Sequence, residues 1–426
     1  MDLQKLLHDL KDCPCDKQHT FATRMVEIES GLLPHTGELL LKAGFPKSIL
    51  LVSDQPAMAA ADGILPALFG AGFCVKQLIF PQMIYARIEQ VREVKALLGD
   101  VDGILSVGTG SVNDVCRVAA YECGKQFAIF ATAPSMDGFA SDSAPIIENN
   151  FKNSLKAEQP SVILADTRIL AAAPAELKAA GFGDMVAKYI GILDWRIANL
   201  LIDEYYCPAV ADITLRGLAK VVSMADRVQQ NDEQAAAAIM EGLILSGLGM
   251  KLAMSSRPAS GAEHVISHYW ECHKVARGIW PGYHGVKVGV ASLLINRIYR
   301  NIADRIVEVD PIADPTDWDA VRAAYDASQH EELMRLNTPT VTDRVDPARL
   351  KAIWPEVRRL IFEILPTNEE MESMMCRAGA VMTAEDAHIS KELMENGLRY
   401  HSYMRYRILL TRLLPMLQLD IMDFLE

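Results

Sequence analysis

Basic residues are in deficit: 42 Lys and Arg face 55 Asp and Glu, for a formal net charge of −13 over 426 residues. A nucleic-acid-binding surface needs the opposite balance, so that class is set aside. Long apolar runs are also missing. The most membrane-like stretch, Gly242–Met250, is bounded by Glu241 and Lys251 and reaches about half of the ~20 residues that span a bilayer. Met1–Cys15 carries charges throughout and no apolar segment of the secretory kind, so an acidic cytoplasmic enzyme is expected. Cysteine is sparse, eight in the chain, and its scatter suits a reducing compartment, not a disulfide scaffold. Cys13–Pro14–Cys15 and His19 offer three metal ligands, one short of a closed site. The segment to about Thr20 is therefore read as a plain polar arm. Internal repeats and low-complexity linkers are lacking too.

What is present is apolar text with a changing rhythm. The length suits two or three domains, and half the residues are hydrophobic. A continuous apolar run at Ser48–Val52 predicts a strand buried on both faces, and Phe73–Phe80, Val101–Val107 and Gln126–Phe130 offer three more strands. Helical patterns at Ala57–Phe69, Ile84–Leu98 and Val112–Cys123 separate them. That alternation predicts a parallel sheet with helices on both sides. After Asp166 helical patterns take over: Met185–Leu201, Ala209–Gln230, Glu233–Ser255, Val286–Arg300, Asp317–Arg335, Pro347–Leu365 and Tyr403–Leu425. The expected division is an α/β part, 1–168, and an all-helical part, 169–426, with the site in the cleft between them.

Chemistry concentrates in a few places. Gly103–Val107 runs into Gly108–Thr–Gly–Ser–Val–Asn–Asp114, a strand, a glycine turn and a helix start, where free amides and bare backbone suit a phosphate. The loop matches neither Gly-x-Gly-x-x-Gly nor a P-loop, and a tight turn without ligand reads equally well. Asp54 ends a buried strand and suits either a ribose hydroxyl or a helix N-cap. Thr132, Ser135 and Ser141 are small donors around Asp137 in a loop that also reads as an ordinary turn. His264 and His268 stand four residues apart, on one face of a helix. With His284 in Pro281–Gly–Tyr–His–Gly285 and Asp184 in an expected glycine turn, Gly181–Phe–Gly–Asp184, they supply two or three imidazoles and a carboxylate for a divalent metal.

Four stretches together resemble the bacterial type of NAD(P)-dependent sn-glycerol-1-phosphate dehydrogenases, which group with iron-containing alcohol dehydrogenases, glycerol dehydrogenases and dehydroquinate synthases. They are Thr132–Ala–Pro–Ser–Met–Asp–Gly–Phe139, Ala180–Gly–Phe–Gly–Asp–Met–Val–Ala–Lys–Tyr189, Ser256–Arg–Pro–Ala–Ser–Gly–Ala–Glu–His264 with Ser267–His268, and His284–Gly–Val–Lys–Val–Gly289. The resemblance implies a dehydroquinate synthase-like fold: an NAD(P)-binding α/β domain and a helical metal- and substrate-binding domain. It implies Asp184, His264 and His284 as ligands of one divalent ion (zinc, nickel or iron). Asp137 and His268 become substrate contacts, with Asp184 serving both metal and substrate. Nucleotide contacts fall on Asp54, Gly110, Ser111, Val112, Asn113, Asp114, Thr132, Ala133, Pro134, Ser135 and Ser141. Asn113 stands where the bacterial relatives commonly carry histidine.

The implied activity interconverts dihydroxyacetone phosphate and sn-glycerol 1-phosphate with NAD or NADP, Asp54 favouring NADH. The expected partner is thus a small phosphorylated triol or ketone, with no nucleic acid and no membrane insertion, in a homodimer or larger homo-oligomer. Arg257 is the first choice for the substrate phosphate, with Lys188 and Lys152 behind it. The rivals are a glycerol or other alcohol dehydrogenase of the same superfamily and a dehydroquinate synthase-like lyase. The lyase would require a strongly basic pocket that no lysine-rich motif announces.

Overall fold

Apolar runs that alternate with helical segments need cover on both faces, and the chain supplies it. The computed structural model describes residues 1–15 and 17–426. Eight strands form: β1 (Met25–Glu29), β2 (Ser48–Asp54), β3 (Cys74–Phe80), β4 (Gly103–Gly108), β5 (Gln126–Ala131), β6 (Ser143–Glu148), β7 (Phe151–Lys156) and β8 (Val162–Asp166). Six of them make one sheet in the order β1-β8-β5-β4-β2-β3, every pair parallel. Ile49–Ser53, all of β4 and all of β8 are buried, as a sheet covered on both faces demands. From β2 the chain goes first to its neighbour β3 and then crosses to β4 on the other side. The carboxyl ends of β2 and β4 therefore flank a crevice, the usual ligand position in such sheets.

Four strands escape the sequence pattern. β1 and β8 pair beside β5, while β6 and β7 form a separate antiparallel hairpin. The helix expected over Ala57–Phe69 is two, Gln55–Ala60 and Ile64–Gly70, parted at Gly63 with φ +98°, a left-handed conformation that glycine tolerates. Asp317–Arg335 is likewise broken into short helices. Tyr403–Leu425 is not one helix but turns at His401–Met404, Leu410–Leu413 and Ile421–Phe424.

Among the described residues no strand follows β8. The helix Glu233–Ala253 is long and apolar enough to cross a membrane by length and composition, yet most of it is buried inside the protein. Its small residues permit close packing: a side chain at Gly247 would come within 2.8 Å of the Ala140 backbone nitrogen. One apolar core joins sheet and helices, with Val52, Ile104 and Ile129 packed in the same cluster as Phe182, Met185 and Leu243. A second core, around Trp270, Tyr299 and Trp354, lies mainly among the helical segments and takes in Phe151 of β7. Both buried indoles donate to backbone carbonyls, Trp270 to Leu393 and Trp354 to Ile306, as buried indoles require.

Candidate active site

A cavity of about 860 Å³ opens at the carboxyl ends of the strands and is walled on its far side by helices. At its sheet end, the helix Gly110–Cys123 makes its first intrahelical bond from the Asn113 amide to the Thr109 carbonyl. The amides of Gly110, Ser111 and Val112 precede that bond, as helix starts leave them. Gly110 must lack a side chain, because a Cβ there would sit 2.7 Å from Met136.

Asp54, Gly110, Ser111, Asp114, Thr132 and Ala133 line the cavity, as do Ser135 and Ser141. Asp54 also makes the N-cap bond that its position allowed: it accepts from the Ala57 amide at 3.0 Å, and its other oxygen accepts from Met83 at 3.0 Å. Val112, Asn113 and Pro134 are not on the cavity wall. Asn113 points inward and accepts from the Ser106 hydroxyl at 2.6 Å. The Pro134 carbonyl packs against Gly181. Burial raises the pKa of Asp114 to about 7, against the pull of Arg117 beside it. That buried arginine donates to the carbonyls of Phe139 and Ser141 and so fixes the loop that carries Asp137.

Asp184, His264 and His284 each bring a ligand atom to within 4.8 Å of the other two. The acid is not in a turn. Gly181 to Asp184 belong to the helix Ala175–Val186. The glycines serve helix packing: a Cβ at Gly181 would lie 1.9 Å from the Pro134 carbonyl oxygen, and one at Gly285 would lie 2.0 Å from the Ala180 carbonyl oxygen. This close approach brings Asp184 to His284, the first residue of His284–Arg305. His264 lies in the helix Ala262–Ala276. Its Nδ1 lies 2.7 Å from a Glu263 carboxylate oxygen, which fixes a tautomer with a bare Nε2 turned to Asp184 at 3.3 Å.

Two buried nitrogens here, His264 Nε2 and His284 Nδ1, have no hydrogen-bond partner. Orphaned lone pairs beside a carboxylate fit a divalent ion. Burial and Lys188 work against charging His264, but Asp184 and Glu263 outweigh them and raise its pKa to about 9, so a divalent ion would take the place of a proton on that Nε2. Burial, then Lys152, hold His284 well below the usual imidazole range. His268 lies outside the 4.8 Å set, its ring stacked 5.6 Å from His284. Burial, then Lys152 and Arg405, keep it neutral by pushing its pKa well down.

Two cations expected near the phosphate are spent elsewhere. Arg257 makes a two-pronged pair with Glu204 and donates to the Ile408 carbonyl. It does not line the cavity. Lys188 is fully buried and donates to Asp137 at 2.6 Å, Asp184 at 3.0 Å and the Ala259 carbonyl at 3.1 Å. It locks Asp137 to Asp184, and the Asp137 amide donates to Asp184 at 2.9 Å. Burial opposes ionising Asp184, but Lys188 and His264 win and hold it well below the usual carboxylate range.

Lys152, on β7, does line the cavity, paired at 2.9 Å with Glu271. Sequence reasoning missed Arg405 and Arg407, which reach the cavity from the C-terminal turns. Arg405 donates to the Lys152 carbonyl and lies 3.4 Å from His268 Nδ1. Arg407 donates to the Ser260 carbonyl and the Ser256 hydroxyl. Among the described residues neither guanidinium has a carboxylate partner.

Residues 27–174 match the family described as iron-containing alcohol dehydrogenase. The glycerol-1-phosphate dehydrogenase (NAD(P)+) of Halalkalibacterium halodurans is 34% identical over 305 residues, 70% of this chain and 76% of that protein. The chain belongs to the glycerol-1-phosphate dehydrogenase family. The enzyme of that name from Methanothermobacter thermautotrophicus is 30% identical over 327 residues, 76% of this chain and 86% of that protein. The family's fold is shared more widely. A probable glycerol dehydrogenase from Sinorhizobium meliloti superposes with a TM-score of 0.61 at 15% identity, covering 95% of this chain and 97% of that one. An NADH-dependent butanol dehydrogenase from Thermotoga maritima gives 0.60 at 15% identity, with 97% of each chain covered.

Proposed function

We propose that the chain is a metal-dependent, NAD(P)-linked oxidoreductase that interconverts dihydroxyacetone phosphate and sn-glycerol 1-phosphate. The observation that carries this reading is a juxtaposition. One cavity holds a helix start with free amides, and the His264 and His284 rings beside Asp184. It also holds two guanidiniums with no carboxylate partner. Bound there, a divalent ion supplies Lewis-acid stabilisation of charge on oxygen and a nicotinamide supplies hydride.

The chain's own residues do the rest. Asp184, His264 and His284 hold the ion and leave coordination positions open, as a catalytic site needs. The amides at Gly110–Val112 bind cofactor phosphate, and the Asp54 charge disfavours a 2′-phosphate. Arg405 and Arg407 grip the substrate phosphate. Neutral His268 offers its ring to a substrate hydroxyl and passes the proton to or from it. Asp137 orients the remaining hydroxyl, and Lys188 keeps Asp137 and Asp184 fixed. The division at residue 168, zinc, nickel or iron as the ion, a cytoplasmic setting and a homodimer or larger assembly belong to the same proposal.

A basic cavity end answers the sequence-level objection to a dehydroquinate synthase-like lyase, so net redox turnover must separate the two. Full-length protein is assayed for NADH oxidation with dihydroxyacetone phosphate and with dihydroxyacetone, before and after chelation. The phosphorylated ketone should be preferred, and chelation should abolish turnover until a divalent ion returns. Arg405→Ala should raise KM for the phosphorylated ketone by about 10–100-fold, the value of one or two charge-assisted hydrogen bonds, and change KM for the unphosphorylated ketone far less. Equal rates on both ketones would favour the glycerol dehydrogenase reading. Absence of net NADH oxidation would favour the lyase.

A further inference from the structure

The N-terminal arm holds a second group of metal ligands, outside the catalytic cavity. Cys13, Cys15 and His19 come from the arm, and Cys207 stands just before the helix Pro208–Val222. A closed site needs a fourth ligand, and the fold brings it from 194 residues away. Each of the four offers a ligand atom within 4.8 Å of the others. The geometry points to a structural zinc site formed by Cys13, Cys15, His19 and Cys207.

The spacings lie near those of a slightly contracted tetrahedron. Zinc–sulfur bonds of about 2.3 Å and a zinc–nitrogen bond of about 2.0–2.1 Å imply sulfur–sulfur edges of about 3.8 Å and sulfur–nitrogen edges of about 3.6 Å. Cys13 Sγ lies 3.4 Å from Cys207 Sγ. His19 Nε2 lies 3.1 Å from Cys15 Sγ and 3.6 Å from Cys207 Sγ. A small outward movement of the thiolates completes the shell. The sulfurs are far outside the ~2.05 Å of a disulfide, and all eight cysteines are free.

An independent contact also points to a ligand. His19 Nδ1 lies 3.2 Å from the Leu252 carbonyl oxygen. An Nδ1–H donated to that carbonyl fixes the tautomer and aims the Nε2 lone pair at the three sulfurs, the usual arrangement around a zinc-bound imidazole. The Tyr205 hydroxyl donates to Cys15 Sγ at 3.3 Å. The Lys17 ammonium lies 3.9 Å from the Tyr205 ring centroid and donates to the Ala253 carbonyl, which holds the arm in place between Cys15 and His19. Three sulfurs and one imidazole select zinc over harder ions, and four protein ligands leave no open position for substrate. The site fastens the arm to the last turn of Glu233–Ala253, whose chain continues through Ser256 and Ser260 into the histidine helix.

The test uses full-length protein purified with zinc present. A His264→Ala/His284→Ala chain, with the catalytic set removed, should keep one zinc per chain by elemental analysis. Adding Cys13→Ser and Cys207→Ser should remove it. Grown with cobalt, the double-histidine chain should show thiolate-to-cobalt charge-transfer absorption in the near ultraviolet, which the catalytic oxygen and nitrogen ligands do not produce. Should the cysteine variants fail to fold, zinc X-ray absorption on the double-histidine chain decides, with sulfur scatterers expected at about 2.3 Å. Absence of both sulfur scattering and cobalt–thiolate absorption overturns the assignment. So does a Cys13–Cys207 disulfide in the peptide map of unreduced protein.

Discussion

Replacing Gly181 by alanine should damage both stability and turnover, through a single methyl group. The added Cβ would lie 1.9 Å from the Pro134 carbonyl oxygen and 2.9 Å from its carbon. A tolerable carbon–oxygen approach is about 3.3 Å, so helix and loop must part by roughly 1.4 Å. The obstacle is backbone, and no rotamer relieves it. Overpacking of this kind costs about 1–3 kcal/mol, while the better helix propensity of alanine offsets about 1 kcal/mol. A net loss of up to about 2 kcal/mol in urea unfolding is expected. The same movement separates Asp184, one turn along the helix, from the Asp137 amide that it holds at 2.9 Å. A 1 Å displacement of a positioned group costs about 100-fold, so kcat/KM for NADH-linked ketone reduction should fall by about that factor. Gly70→Ala is the control, since a Cβ there meets nothing within 4 Å. If Gly181→Ala matched that control in both midpoint and kcat/KM, the argument from helix packing would be refuted.

Glu263→Ala removes the carboxylate at His264 Nδ1 and should weaken catalytic-metal affinity by about 10–100-fold, read by competition with a chelator; unchanged affinity would release Glu263 from that role. Asp54→Ser keeps a capping oxygen and removes the charge, so the NADPH-to-NADH ratio of kcat/KM should rise. A constant ratio would mean that Asp54 only caps its helix. His401 is buried with Nδ1 at the Gly397 carbonyl and Nε2 at the Thr411 hydroxyl, and burial lowers its pKa to about 4. Its folded pKa is below the unfolded ~6.5, so the unfolded chain binds more protons between those values. Its contribution is intact above pH ~6.5 and is lost as pH falls toward 4, with a slope of at most about 1.4 kcal/mol per unit. Urea midpoints from pH 7.5 to 4.5 should flatten in His401→Gln, and an identical slope in both proteins would disprove the assignment.

How much of this was legible depended on whether a signal was local. β2, β4 and β5 announce themselves because strands covered on both faces read as largely apolar runs, and β3 by its apolar ends around Lys76 and Gln77. β1 does not, since Met25–Glu29 carries Glu27 and Glu29 along a sheet edge. The hairpin β6–β7 is hidden by its polar residues. His264 and His268 could be placed on one face from helix period alone, and the phosphate-loop reading followed from strand-to-helix order. The glycines around Asp184 misled, because bare residues serve a tight turn and a close helix crossing equally well. Arg257 stood beside the histidine helix in sequence, yet Glu204 claims it. Arg405 and Arg407 gave no signal, since their value lies in a C-terminal segment folding back to the cavity. Cys207 was silent for the same reason, and without it the arm looked one ligand short.

The apolar core that runs unbroken from Val52 and Ile129 to Met185 and Leu243 limits how the enzyme moves. Swinging the two halves apart like a clamshell would wet that seam, at about 25 cal/mol for each Å² of apolar surface exposed. A wide opening of the cleft therefore carries a free-energy cost that small adjustments of its walls avoid.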